Sequence, residues 1–253
     1  MEIFSEEFVK LITGQRLNLC LKYRIKMAQQ PKLAPGEYYH LYNRGTDKRK
    51  IFLDQHDYTR FLMLLYLCNS DESVNIRNFF KNQNKTVGEI FSVECGIPPI
   101  SVGAFCLMPN HFHLLVRQER DNGISQFMQK LGTAYTMYFN KRNNRTGSLF
   151  QGTFKTKHAQ NDIYLKYLFA YIHLNPAKII EPQWKEVGVK NLKKLKEFVK
   201  NYEYSSYPEY TDQKRAASVI VKKDAFPEYF LSRGKFKLLI EDWLTYKNTL
   251  DKG

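Results

Sequence analysis

The sequence is poor in the devices that staple small secreted domains or hold structural zinc. Its four cysteines, Cys20, Cys68, Cys95 and Cys106, are scattered over 253 residues. Neither a CxxC zinc site nor a dense disulfide framework emerges, and reduced intracellular thiols are the simpler reading. No signal-peptide pattern opens the chain, and no apolar run approaches the roughly 18 residues of a membrane span. A cytoplasmic protein without a membrane partner is expected. A His-Glu-x-x-His zinc-hydrolase motif is missing, and so is the GxxxxGK[ST] phosphate loop, so no nucleotide cofactor is expected.

Negative charge is scarce as well. Only 25 Asp and Glu stand against 39 Lys and Arg, for a formal charge of +14. That balance suggests a polyanionic partner, although anionic membranes attract such surfaces too. Between Asn122 and Asn161 the chain carries Lys130, Lys141, Arg142, Arg145, Lys155 and Lys157 with no Asp or Glu. A solvated face usually mixes signs, so this stretch favours a surface that contacts phosphates. Arg44, Lys48, Arg49 and Lys50 form a second basic patch, either a nucleic-acid contact or a solubilising loop. With 17 Tyr and 18 Phe, stacking platforms for unpaired bases are available, though alternating aromatics more often fill cores.

With 43% of residues hydrophobic, the chain can bury one substantial core. Apolar spacing predicts amphipathic helix within 5–30, ended by Pro31, Pro35 and Gly36. Strands are expected at Tyr38–Asn43, Ile100–Leu107, His111–Val116 and Leu149–Lys155. Helices are expected at Asp57–Leu67, Ser125–Phe139 and Asp162–Leu174, the last stopped before Pro176. Residues 69–89 are polar and Asn-rich and read as an inserted loop or short helix. The order strand, helix, strand, strand, helix, strand matches an α+β sandwich of the split β-α-β type, leaving the next helix to cross the open face of the sheet. Beyond it, a short basic helix at Lys190–Lys200, an aromatic turn at Tyr202–Tyr207 and a helical tail are expected. The expected organisation is an N-terminal helical extension (1–36), a main domain (37–210) and a C-terminal basic, helical extension (211–253).

Two short motifs stand out. In Met108-Pro109-Asn110-His111-Phe112-His113-Leu114-Leu115-Val116, strand alternation puts His111 and His113 on one face, able to share a divalent ion while Phe112 packs behind them. In Tyr171-Ile172-His173-Leu174-Asn175-Pro176, residues four apart share a helix face, so Tyr171 and Asn175 can offer a nucleophile and an oxygen ligand to that ion. Each residue also has an ordinary reading: paired strand histidines, a packed tyrosine, a helix cap at Asn175. Tyr164 and Tyr167 lie on roughly the same face as Tyr171 and compete with it.

Taken with Tyr39-His40-Leu41-Tyr42-Asn43-Arg44-Gly45, Gly147-Ser148-Leu149-Phe150-Gln151-Gly152 and Tyr204-Ser205-Ser206-Tyr207, these motifs resemble the single-tyrosine HUH transposases, particularly the REP-associated branch. The resemblance covers roughly residues 37–210. It implies a ferredoxin-like or RRM-like antiparallel sheet with the catalytic helix facing the two-histidine strand. It also implies Tyr171 as nucleophile, His111, His113 and Asn175 as ligands of Mg²⁺ or Mn²⁺, and single-stranded or hairpin DNA as substrate. Cleavage through a 5′-phosphotyrosine, reversed by another 3′-OH to join strands, is the activity implied, and a homodimer is compatible with it. Two rivals stay open: a nonenzymatic binder of structured nucleic acid, and a relaxase or replication-initiator nickase.

Overall fold

A computed structural model describes residues 33–72 and 86–250, with side chains as far as residue 244. The helical expectation over 5–30 and the centre of the polar insertion lie outside the described residues. Strands β1 (Tyr38–Arg44), β2 (Ile100–Met108), β3 (His111–Gln118) and β4 (Lys155–His158) form one antiparallel sheet in the order β2-β3-β1-β4. Helix α1 (Gln55–Leu67) leads from β1 towards β2, and α2 (Gly123–Arg142) leads from β3 towards β4. The result is a mixed α/β fold with a small antiparallel sheet flanked by helices, consistent with a ferredoxin-like or RRM-like arrangement.

Helix α1 starts two residues before the expected Asp57 because the Asp54 carboxylate accepts the His56 and Asp57 N–H groups, pairing two donors that a helix start leaves free. It packs on α2, where Phe61 meets Tyr135 with ring centroids 4.9 Å apart, and the buried Ile124, Phe127, Met128, Leu131, Tyr135 and Phe139 of α2 recur at helical spacing. Phe112 enters this layer from the sheet, its ring 5.0 Å from that of Phe61.

The strand expected at Leu149–Lys155 is placed differently: pairing begins only at Lys155 and continues to His158. Gly147 and Gly152 take positive φ (80° and 68°), which turns the chain out of the pleat, while Leu149 and Phe150 are buried for packing. Apolar content there reflected a core-filling loop.

Helix α3 (Asp162–His173) packs against β2 and β3 on the opposite side of the sheet from α1 and α2. The Asn161 side chain caps its start by accepting the Tyr164 N–H. Its far end is keyed to β2 through a buried relay. His173 Nδ1 donates to the Phe169 carbonyl (2.8 Å), which leaves Nε2 to accept from the Ser206 hydroxyl (2.8 Å), and Ser206 Oγ accepts the Phe105 N–H of β2 (2.9 Å).

The aromatic turn explains itself as edge protection. Backbone bonds from Leu107 to Tyr204 and from Ser206 to Phe105 cover the outer edge of β2, which would otherwise present unpaired groups. Tyr204 stacks on Tyr58 at 3.8 Å, so its face is spent on the core. Further along the same edge, Phe226 lies over Gly103, where a Cβ would stand 2.4 Å from the ring. Beyond α4 (Leu192–Lys200), the long helix α5 (Arg233–Leu250) brings Phe236 and Trp243 against α3.

Ser206→Ala removes the middle of the relay and leaves the Phe105 N–H and His173 Nε2 without partners. The expected loss is about 1–3 kcal/mol of unfolding free energy, read from urea denaturation; unchanged stability would show that the relay carries no load.

Candidate active site

The face of the sheet turned towards α3 carries the candidate histidines. Because β3 alternates, Phe112 and Leu114 go to the α1/α2 layer, and His111 and His113 go to the other face. Their cross-strand neighbours on β1 share that face: Arg44 opposite His111 and Tyr42 opposite His113. On β4, Lys155 pairs with Tyr42 and Lys157 with His40, which adds two exposed cations to the same surface.

Hydrogen bonds decide which imidazole nitrogens are available. Asn110 Nδ2 donates to the Lys48 carbonyl (3.2 Å), so its Oδ1 is the atom that meets His111 Nδ1 at 2.6 Å. An amide oxygen only accepts, so His111 carries its proton on Nδ1 and keeps the lone pair on Nε2. His113 Nδ1 lies 2.8 Å from His40 Nε2. When His113 donates in that bond, it too presents an Nε2 lone pair. Burial, reinforced by Lys178 and Arg44, lowers His111 to about 4. Burial also carries His113 well below the ordinary histidine value, helped by His40, His111, Lys178 and Lys185. Both rings are therefore neutral bases at neutral pH.

Tyr171 comes down on this pair from α3. Its ring stands edge-on to His113 at 5.4 Å and to His40 at 6.0 Å. Burial, with Tyr167 adding, pushes its phenol up to about 12, while the Asn175 amide works the other way. Tyr164, Tyr167 and Tyr171 form a stacked column with centroid steps of 5.7 and 5.9 Å, and the member that meets the histidines is Tyr171. One tyrosine that the sequence did not single out also reaches them: Tyr42, 5.8 Å from His113 and stacked on His40.

Asn175 lies just past the end of α3, fully buried. Its Nδ2 donates to the Tyr171 carbonyl (2.9 Å), capping one of the free acceptors at the helix end. The same bond turns Oδ1 the other way, and that buried oxygen has no protein partner. The cap therefore occupies only one atom of the amide and does not preclude the expected ligand role of the other. A buried acceptor without a donor is costly unless something fills the gap.

Among the described residues, no group of three or more His, Cys, Asp or Glu side chains is arranged to hold a metal. The structure does hold two neutral imidazoles on one face and, separately, a buried Asn175 oxygen without a protein partner, and nitrogen and oxygen donors of these kinds are chemically suited to a divalent cation. His40 was not selected from the sequence as a site residue. The signal was its place in an alternating strand two residues before Tyr42, which says nothing about its partner until β1 is paired with β3.

The sheet also sorts the expected phosphate contacts. Arg44, Lys155 and Lys157 lie on the histidine face, and Lys48 lies exposed in the turn after β1. Arg49 pairs with Asp47. On the other layer, Lys130 donates to the Ser70 and Glu72 carbonyls, and Arg142 is paired with Asp54 and with the fully buried Asp57. Lys141 is exposed on the last turn of α2, and Arg145 bonds Asn140 just beyond it.

The family model for the transposases described as IS200 like matches residues 73–175, a range that contains His111, His113, Tyr171 and Asn175. No curated protein matches the chain. Among solved structures, that of a REP-associated tyrosine transposase bound to a REP hairpin is similar with a TM-score of 0.46 at 12% identity, covering 79% of this chain and 93% of that one.

Neutral buried histidines make stability depend on pH. The folded state holds His111 and His173 near 4 and His40 near 3, mainly through burial, whereas the unfolded chain binds those protons near 6.5. Stability is therefore complete above about pH 6.5 and falls as pH drops towards 4, by up to about 1.4 kcal/mol per pH unit for each group. Urea midpoints between pH 8 and pH 5 check this, and a flat profile would contradict it.

Proposed function

We propose that this chain is a metal-dependent endonuclease and strand transferase acting on single-stranded or hairpin DNA, with Tyr171 as nucleophile. The observation that carries the reading is the approach of Tyr171 to His113, which shares a basic sheet face with the neutral His111. The partial match to IS200-like transposases, which spans these three residues and Asn175, supports it.

In this reading the Tyr171 hydroxyl oxygen attacks the scissile phosphorus. An Oη–P bond forms as the P–O3′ bond breaks, and the proton lost by the phenol is matched by one gained at the departing 3′ oxygen. The 5′ side of the strand stays on the tyrosine. Because one ester replaces another, a different 3′-OH can reverse the step and join strands without an energy-rich cofactor. His111 and His113, through Nε2, and Asn175, through Oδ1, would hold Mg²⁺ or Mn²⁺, which when bound supplies positive charge at the phosphate. His40 holds His113 in the required tautomer and orientation, and Asn110 does the same for His111. Arg44, Lys155 and Lys157, with Lys48 at the rim, track the strand's phosphates. A flexible strand suits the site better than a duplex, since its phosphate must reach both tyrosine and histidines.

The test is covalent capture of labelled single-stranded hairpins with Mn²⁺, followed by denaturing electrophoresis and peptide mapping. Tyr171→Phe is expected to abolish the adduct with less than about a threefold change in DNA affinity, and Tyr42→Phe to retain it. Mapping of the adduct to Tyr42 would reassign the nucleophile. Binding with no adduct in the wild type would favour the nonenzymatic alternative.

His40→Ala is expected to weaken Mn²⁺ binding by about 10- to 100-fold, measured by electron paramagnetic resonance of free Mn²⁺, with His40→Gln recovering part of the loss. Equal affinity in wild type and His40→Ala would remove the positioning role.

A further inference from the structure

Among the described residues, two lysines outside the one-signed stretch stand over the tyrosine. The chain leaves α3 at Pro176 and makes two single helical turns, Ala177–Ile180 and Trp184–Val187. Ala177 and Trp184 are buried and anchor the turns, and the loop between them and α4 is closed by Glu181, whose carboxylate accepts the Lys190 and Asn191 N–H groups. Each turn delivers one half-buried lysine back towards Tyr171. Lys185 Nζ stands 4.1 Å from the Tyr171 ring centroid, and Lys178 Nζ stands 5.9 Å from it.

A cation over an aromatic face is stabilising in itself, by about 0.5–1 kcal/mol at exposed sites. That accounts for one lysine and does not explain why a second converges on the same ring from a separate turn. The surroundings point further. The Tyr171 ring that both lysines approach also stands 5.4 Å from His113, whose ring is 5.0 Å from that of His111, so two ammonium groups and the histidine pair gather about one tyrosine. Two ammonium groups brought to the ring of the proposed nucleophile match the charge of a phosphate that must approach it.

We propose that Lys178 and Lys185 hold the non-bridging oxygens of the scissile phosphate against Tyr171, making them phosphate-positioning residues of the strand-cleavage site. The inference rests on the nuclease reading for its chemistry. The lysines transfer no proton or group; they set the phosphorus within reach of the Tyr171 oxygen and offset charge as the Oη–P bond forms and P–O3′ breaks. The same contact serves rejoining, because the phosphotyrosine diester presents the same pair of oxygens.

Lys178→Gln, Lys185→Gln and the corresponding arginine variants separate this role from packing. In EDTA, affinity for a single-stranded oligodeoxynucleotide is measured against salt, and each glutamine variant is expected to lower the slope of log K against log salt by about 0.7, with arginine restoring it. With Mn²⁺ and saturating hairpin, adduct formation is expected to slow by at least about tenfold in each glutamine variant, with thermal stability close to wild type. Unchanged slope and rate in folded glutamine variants, beside a wild type that forms the adduct, would overturn this inference and leave the nuclease reading intact. If Lys185→Gln does not fold, Lys178→Gln on its separate turn carries the same two readouts. A wild type that forms no adduct would overturn the nuclease reading, and an unchanged salt slope would then dispose of the phosphate contact independently.

Discussion

Everything at this site depends on the strict alternation of β3, held in place by pairing on both sides. With β1 on one flank and β2 on the other, a slip of one residue would send Phe112 to the open face and both histidines into the α1/α2 layer. Phe112 packs against Phe61 and Phe150, and that apolar burial sets the register. The histidines are placed by what their neighbour does on the far side of the sheet.

The tyrosine is placed by a second, separate device. Helix α3 has no covalent reason to stop at the height where Tyr171 meets His113. The buried relay from Phe169 through His173 and Ser206 to Phe105 keys its last turn to β2. Asn175 then uses one amide atom to finish the helix and keeps the other buried without a protein partner. Strand and helix each bring part of the site, and the polar contacts between them fix its geometry.

Electrostatics follows the same division. A list of basic residues in sequence does not say which side of a sheet each one takes. Lys155 and Lys157 reach the histidine face through their pairing with β1, while Lys130 and Arg142 spend their donors on carbonyls and carboxylates of the helical layer. Lys178 and Lys185, from two short turns after Pro176, stand nearer the tyrosine than their distance in sequence from the histidines suggests.

The alternation of His111, Phe112 and His113, the helical spacing of Tyr171 and Asn175, and the order of strands and helices were legible because each is a local, periodic property of the chain. The order alone was enough for an antiparallel sheet with helices on it. Leu149–Phe150 misled because burial, which the sequence signals, is not pairing, which it does not. The His40–His113 bond, the approach of Tyr42, the free oxygen of Asn175 and the two lysines over Tyr171 were decided only by tertiary structure. Each is a contact between segments whose spacing in sequence carries no information about distance, and the hydrogen bonds and charges that give these residues their chemistry exist only once the segments are packed together.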